Sequence, residues 1–146
     1  MSGIVFDTSI YISALRQGDP SLFSARRANR SGDQSTSPLW LSAVVLEELY
    51  AGAQSFAMKK ICAAIEKSFD KIGRLLTPVS SDWVTCGQVL SRIGQKYGYE
   101  QIGRARMTND TLIAVSAVRN GLTVFTKNAE DFKMIAEFRH FDWEEL

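Results

Sequence analysis

The sequence predicts an α/β fold: one domain over residues 1–146 with a central parallel sheet flanked by helices. Three observations carry that expectation. Short β-prone apolar runs alternate with longer segments of helical period, and a parallel strand connection needs such a helical crossover. A chain of 146 residues, 45% of them hydrophobic, suits one core and leaves little room for a second. No repeat, low-complexity tract or linker divides it.

Ile4-Val5-Phe6 reads as a strand ending at Asp7, and Ile10, Ile12 and Leu15 begin a helical period after it. A helix is expected over 21–29, where Arg26 and Arg27, with Arg30 beyond, form a basic face. The polar run 31–37 reads as a loop bounded by Pro38. Leu39-Trp40-Leu41 gives the second strand, and Ser42 can cap a helix with Val45, Leu46 and Leu49 on its apolar face as far as Gly52. From Phe56 to Phe69 the apolar residues approximate the period of an amphipathic helix, and Gly73 follows its end. Residues 75–79 form a short strand that Pro78 places at an edge or end.

Another helix is expected over 80–97, stopped by Gly98. The polar segment 99–108, with Arg104 and Arg106, lacks an apolar period and reads as a loop. Asp110 then opens a helix whose apolar residues Leu112, Ile113, Val115, Ala117 and Val118 run to Gly121. Leu122 to Phe125 is a compact β-branched strand ending at Thr126, residues 128–135 form a short helix carrying Asp131, and a last strand is expected over 138–143.

The charge balance, 17 basic against 16 acidic residues, gives no global positive field of the kind nucleic-acid binders often carry. Contact with nucleic acid then requires a local basic patch. Cys62 and Cys86 sit in apolar helical patterns without metal-ligand or redox spacing, so buried thiols are expected. No run of about 18 apolar residues spans a bilayer, and the first residues pass into a strand without a basic, cleavable leader, so a soluble cytoplasmic protein is expected. His140 is the only histidine and has no nucleophile motif near it, which leaves histidine-dependent hydrolysis without support.

Four acids, Asp7, Glu48, Asp110 and Asp131, lie where apolar elements give way to polar sequence. In an open α/β sheet, ligands bind outside the carboxyl ends of the strands. Asp7 and Asp131 follow two strands and can line one cleft; the meeting of Glu48 with Asp110 needs a particular topology. Taken singly each acid has an ordinary role: Asp7 as a helix N-cap, Asp110 at a helix N-terminus, Glu48 and Asp131 as solvated helix residues. Thr8, Ser9 and Thr126 are placed to hydrogen-bond the carboxylates.

The strings Val-Phe-Asp7-Thr8-Ser9, Ser42-Ala-Val-Val-Leu-Glu-Glu48-Leu-Tyr-Ala-Gly52, Asn109-Asp110-Thr-Leu-Ile-Ala-Val-Ser-Ala117 and Gly121-Leu-Thr-Val-Phe-Thr126-Lys-Asn-Ala-Glu-Asp131-Phe132 occur in order across nearly the whole chain. Together, with Phe141-Asp142-Trp143, they resemble the PIN domain, most closely the VapC toxin ribonucleases of toxin-antitoxin modules. The resemblance implies that Asp7, Glu48, Asp110 and Asp131 are the catalytic, metal-binding carboxylates. It selects Glu48 over Glu47 by the leucine directly after it and the glycine four residues on. Asp131 occupies the position that varies most in the family, and Ser9 stands where many relatives have Asn.

So read, the chain would be a Mg²⁺- or Mn²⁺-dependent endoribonuclease that hydrolyses RNA phosphodiester bonds, is restrained by a cognate VapB-like antitoxin and forms a homodimer. The oxygen donors suit such an ion, and Mg²⁺ usually takes one or two carboxylates directly and keeps several waters. Arg104, Arg106 and Lys127 flank the acids and can hold phosphates, while Tyr97 and Tyr99 are placed to stack on bases. The apolar segment 56–69 offers a surface for the antitoxin or a second copy. The alternative is a non-catalytic PIN-like module that binds RNA or protein. A phosphotransfer receiver-like domain fits less well, because the first strand ends in a single Asp rather than an acidic pair.

Overall fold

Asp7 can meet distant acids only if its strand lies inside the sheet, and it does. In the computed structural model, which describes residues 3–18, 26–28, 36–103 and 105–146, the chain begins with β1 (Ile4–Phe6) and α1 (Thr8–Gln17), followed by β2 (Arg26–Ala28) and β3 (Thr36–Ser42). Next come α2 (Ala43–Gly52), α3 (Phe56–Asp70), β4 (Leu75–Leu76), α4 (Ser80–Tyr97) and α5 (Tyr99–Ile102). The last elements are α6 (Ala105–Arg119), β5 (Thr123–Thr126), α7 (Ala129–Ala136) and β6 (Trp143–Glu145).

β1 is central. It pairs in parallel with β3 on one side, Val5 opposite Trp40, and with β5 on the other, Phe6 opposite Phe125. β6 extends the sheet beyond β5, and β4 pairs in parallel with the far edge of β3. These five strands are all parallel; β2 adds an antiparallel segment to the same edge of β3, Arg26 opposite Pro38. A parallel sheet must be covered on both faces, so its strands are apolar throughout rather than alternating. Val5, Phe6, Leu39, Leu41, Val124 and Phe125 are accordingly all buried.

α6 is the structural axis of the helical layer. Asp110 to Ala117 are buried without interruption, so this helix is covered on every side rather than on one stripe. Its inward hydroxyls return their protons to their own backbone, Thr111 Oγ1 to Met107 O at 2.8 Å and Ser116 Oγ to Leu112 O at 2.6 Å. At its end Arg119 Nε donates to both carboxylate oxygens of Asp82, at 3.2 and 3.0 Å, while Asp82 Oδ2 accepts the Val79 N–H at the start of α4. That pair locks α4 to α6. α7 is braced by Phe132, whose ring lies 6.0 Å from Phe141 and stacks at 6.4 Å on Trp143.

The α/β class and the parallel sheet are as expected, as are Ser42 capping α2 through Val44 N, the spans of α3 and α4, and two buried free thiols at Cys62 and Cys86. Several boundaries differ. Asp110 does not open its helix: α6 begins at Ala105, and α5 occupies part of the expected loop, because both are short polar turns without an apolar stripe to reveal them. Of the helix expected over 21–29, residues 26–28 form β2 on the open edge of β3, and the rest, with Arg30 and Arg104, lies outside the described residues. Residues 36–38, expected as loop and boundary, extend β3. The strand over 75–79 shrinks to Leu75–Leu76, and β6 starts five residues later than predicted, since Phe138 and Arg139 N–H groups still bond to Ile135 O and finish the turn of α7.

Phe132→Ala removes a fully buried ring from beneath α7 and is expected to cost about 3–5 kcal/mol of stability, measured by urea unfolding; a loss under about 1 kcal/mol would show that α7 is not anchored by this ring.

Candidate metal centre

The carboxyl ends of β3, β1 and β5 open side by side, and all four acids lie on the chain that leaves or enters there. Asp7 directly follows β1, its N–H bonding to Phe125 O at 3.0 Å, so the backbone of β5 fixes where it sits. Glu48 is on the second turn of α2, after β3. Asp110 is on the second turn of α6, and Asp131 on the first turn of α7, after β5.

Asp7 is 4% exposed and is held by neutral hydroxyls. Ser9 Oγ donates to Oδ1 at 2.6 Å and Thr126 Oγ1 to Oδ2 at 2.6 Å. Both hydroxyls are themselves fixed, Ser9 Oγ by the Lys127 N–H at 3.0 Å and Thr126 Oγ1 by the Asn128 N–H at 2.9 Å. The loop after β5 therefore sets both partners of Asp7. Although Asp7 occupies the N-cap position of α1, its side chain makes no capping bond. Burial pushes its carboxyl upward, opposed by the two hydroxyls and by the nearby Ile10 and Ser9 N–H groups.

Glu48 is half-buried and accepts a bond from Thr8 Oγ1 at 2.6 Å, while Glu47 is exposed. The structure thus turns Glu48, not its neighbour, toward the strand ends. Asp131, 6% exposed, pairs through Oδ2 with Arg106 Nε at 2.9 Å. Asp110 is the electrostatic centre. Burial first, then the charges of Asp7 and Asp131, a hydrogen bond to Asp131 and the charge of Glu48 push its carboxyl up to about 9. One buried acid feeling three others defines a shared pocket of negative charge.

Such a donor set fits a hard divalent cation: carboxylate and hydroxyl oxygens, no sulfur or imidazole, and buried charge that Arg106 only partly offsets. Among the described residues no three His, Cys, Asp or Glu side chains stand close enough to hold one ion jointly as they are placed. One or two direct carboxylates with water-mediated contacts to the rest match that spacing and the habit of Mg²⁺.

Around the acids, Lys127 Nζ donates to Ser13 Oγ at 2.9 Å and, with Asn128, Lys133, Tyr97 and the acids Glu130, Glu137 and Glu145, lines a groove of about 620 Å³ along α7. The Tyr97 hydroxyl is engaged by Glu137, and Lys96 Nζ lies 5.1 Å from the Tyr97 ring centre. Sequence reasoning placed the hydroxyls of Thr8, Ser9 and Thr126 at the acids but missed Ser13 and the pairing of Arg106 with Asp131. With α6 extended back by one turn, Arg106 and Asp110 fall four residues apart on one helix face, which is the signal that the assumed loop concealed. His140 is exposed, its Nε2 3.8 Å from Asp142 Oδ1.

A parallel α/β sheet with an oxygen-only acidic pocket at its strand ends is an arrangement that can take up a hard divalent cation. Residues 4–137 match the PIN domain family, and the chain belongs to that family. Among curated proteins none matches it in sequence. Its fold is similar to solved structures of DNA-bound VapBC from Salmonella typhimurium (20% identity, TM-score 0.65, covering 99% of this chain and 98% of that one) and VapBC-1 from nontypeable Haemophilus influenzae (21%, 0.61, 97% and 96%). VapBC2 from Rickettsia felis, bound to a promoter DNA fragment, is a further match (19%, 0.55, 98% of each chain). At these identities the likeness is one of fold.

The raised carboxyl of Asp110 fixes the sign of a pH effect. In the unfolded chain it ionises above about pH 4, whereas in the fold it keeps its proton up to about 9. Between those values the unfolded state binds fewer protons, so stability falls as pH rises. Asp110→Asn is expected to raise the melting temperature measured in chelator at pH 8 and to leave it nearly unchanged at pH 4. An equal shift at both pH values would remove Asp110 as the source.

Proposed function

We propose that this chain is a Mg²⁺- or Mn²⁺-dependent endoribonuclease acting as the VapC-type toxin of a toxin-antitoxin pair. The observation that carries the reading is the gathering of Asp7, Glu48, Asp110 and Asp131, remote in sequence, at the carboxyl ends of β1, β3 and β5; the raised carboxyl of Asp110 accords with it. Such a concentration of acid has no structural use in the core and is relieved by a divalent cation. Asp7, Glu48 and Asp110 supply carboxylates for the ion, and Asp131 is the fourth acid of the pocket.

When bound, an ion there supplies Lewis acidity to an RNA phosphodiester and to the water that attacks it. The protein's own groups do the positioning. Ser9 and Thr126 take up one lone pair on each oxygen of Asp7, and Thr8 one on Glu48, so each carboxylate keeps a fixed rotamer and its remaining lone pairs point into the pocket. Hydroxyls orient these acids without neutralising them, which preserves their charge for the cation. Lys127 and Arg106 flank the acids at the solvent edge, where they can receive the phosphates on either side of the bond to be cut. Tyr97 lines the adjoining groove and offers a ring for stacking an unpaired base.

The antitoxin reading rests on the fold's similarity to VapBC complexes and on exposed apolar side chains across α1, α2 and α3. Phe56 is 78% exposed, and Ile12, Tyr50 and Ile61 join it in facing solvent. A VapB-like partner or a second copy of the chain would cover them. Among the described residues no helix is long and apolar enough to cross a membrane. A toxin of this kind would act on RNA in the cytoplasm, as a dimer.

Asp7→Asn keeps the shape and the hydroxyl partners but removes the charge. It is expected to lower RNA cleavage by about 100-fold or more, to abolish growth arrest on expression and to leave the far-ultraviolet circular dichroism unchanged. Cleavage by the wild type that persists in EDTA, or calorimetry showing no Mg²⁺ or Mn²⁺ binding, would instead favour a PIN-like module that holds RNA or protein without cutting it.

A further inference from the structure

Asp131 differs from the other three acids in what touches it. Asp7 and Glu48 are held by hydroxyls and Asp110 faces acids, whereas Asp131, which also faces Asp110, is in addition paired with a cation. Arg106 Nε lies 2.9 Å from Asp131 Oδ2, joining the first turn of α6 to the first turn of α7 across the pocket. The carboxylate side chain is 8% exposed and the arginine side chain 51% exposed, so the acid is the fixed anchor and the guanidinium the group that meets solvent. The nearest approach is through Nε, and the half-exposed side chain leaves guanidinium N–H groups accessible to solvent. Among the described residues Arg106 makes no other ion pair.

A carboxylate whose charge is already offset at hydrogen-bond distance is a poor ligand for a further cation. An arginine held against a buried carboxylate and half exposed to solvent is, by contrast, pre-organised for the oxygens of a phosphate. Arg106 also lies one turn before Asp110 on the same face of α6, which puts it at the rim of the acid pocket rather than at a distance from it.

We propose that Asp131 is a positioning residue that holds Arg106 against the pocket, and that Arg106 binds a phosphate of single-stranded RNA next to the bond to be cut. This rests on the nuclease reading and divides the four acids into three that serve the ion and one that serves the substrate. Substrate binding and ion binding then fail separately when the two sets of residues are changed.

The test pairs calorimetric titration of Mn²⁺ with binding of an oligouridylate in Ca²⁺ over a range of salt concentrations, on the full chain. Arg106→Ala is expected to weaken RNA binding about tenfold and to shrink the log–log salt slope by about 0.7, the loss of one phosphate contact on a single strand. Asp131→Asn should do nearly the same, with the double variant no worse than Arg106→Ala alone. Asp131→Glu, which keeps the charge, should recover part of the affinity. Mn²⁺ affinity in all of these should change by less than about fivefold, the scale of a half-exposed charge pair, while Asp7→Asn loses it. A wild type that binds both probes, combined with a tenfold or greater loss of Mn²⁺ affinity in Asp131→Asn or an unchanged RNA slope in Arg106→Ala, would overturn this assignment alone. A wild type that binds neither Mn²⁺ nor oligouridylate would overturn the nuclease reading and this one with it.

Discussion

Mutual repulsion among buried carboxylates is the constraint around which this molecule is organised. Burying one carboxylate is costly, and burying it beside others more so. The chain meets that cost with two devices. Asp110 keeps its proton, and Asp7 and Glu48 are solvated by hydroxyls supplied from Thr8, Ser9 and Thr126. Both devices are reversible in the sense a cation site needs: a proton can leave when a stronger positive charge arrives, and a hydroxyl bond persists around an ionised acid. An apolar or fully ion-paired pocket would offer neither.

The scaffold explains why that arrangement tolerates so little freedom. Because β1 is flanked on both sides by parallel strands, its end cannot shift without breaking ladders to β3 and β5. Because Asp7 takes its orientation from a hydroxyl of β5 and another locked by the loop after β5, the rotamer of the first acid is dictated by residues remote in sequence. α6 brings Asp110 in on a helix buried all round and tied at its far end to α4 through Arg119 and Asp82. Rigid elements, not loops, therefore carry the acids, as a site that must hold like charges together requires.

Much of this was legible in the sequence, for physical reasons that differ by element. β1, β5 and the helices α3 and α4 announce themselves because burial on both faces or on one stripe leaves an apolar pattern. Resemblance separates Glu48 from Glu47; in the structure Glu48 accepts the Thr8 hydroxyl and Glu47 is exposed. What escaped were elements without such a pattern. α6 is apolar on every side where it is buried and polar in its first turn, so its start was placed at Asp110 instead of Ala105. That boundary conceals the pairing of Arg106 with Asp131, since a residue in a loop has no helical face to share with an acid. β2 escaped because an edge segment of three residues gains its stability from the neighbouring strand rather than from its own composition.

The hydrogen bond between Thr126 and Asp7 spans 119 positions of the chain, and it bears on how the protein is made. On a ribosome the segment bearing Asp7 emerges long before the one bearing Thr126. Until the later segment arrives, β1 lacks one of its two neighbours and the first acid lacks the hydroxyls that orient it. A sheet closed by contacts of such long range forms late. The acid pocket is thus assembled only once Asp110 and the strand after it have left the ribosome.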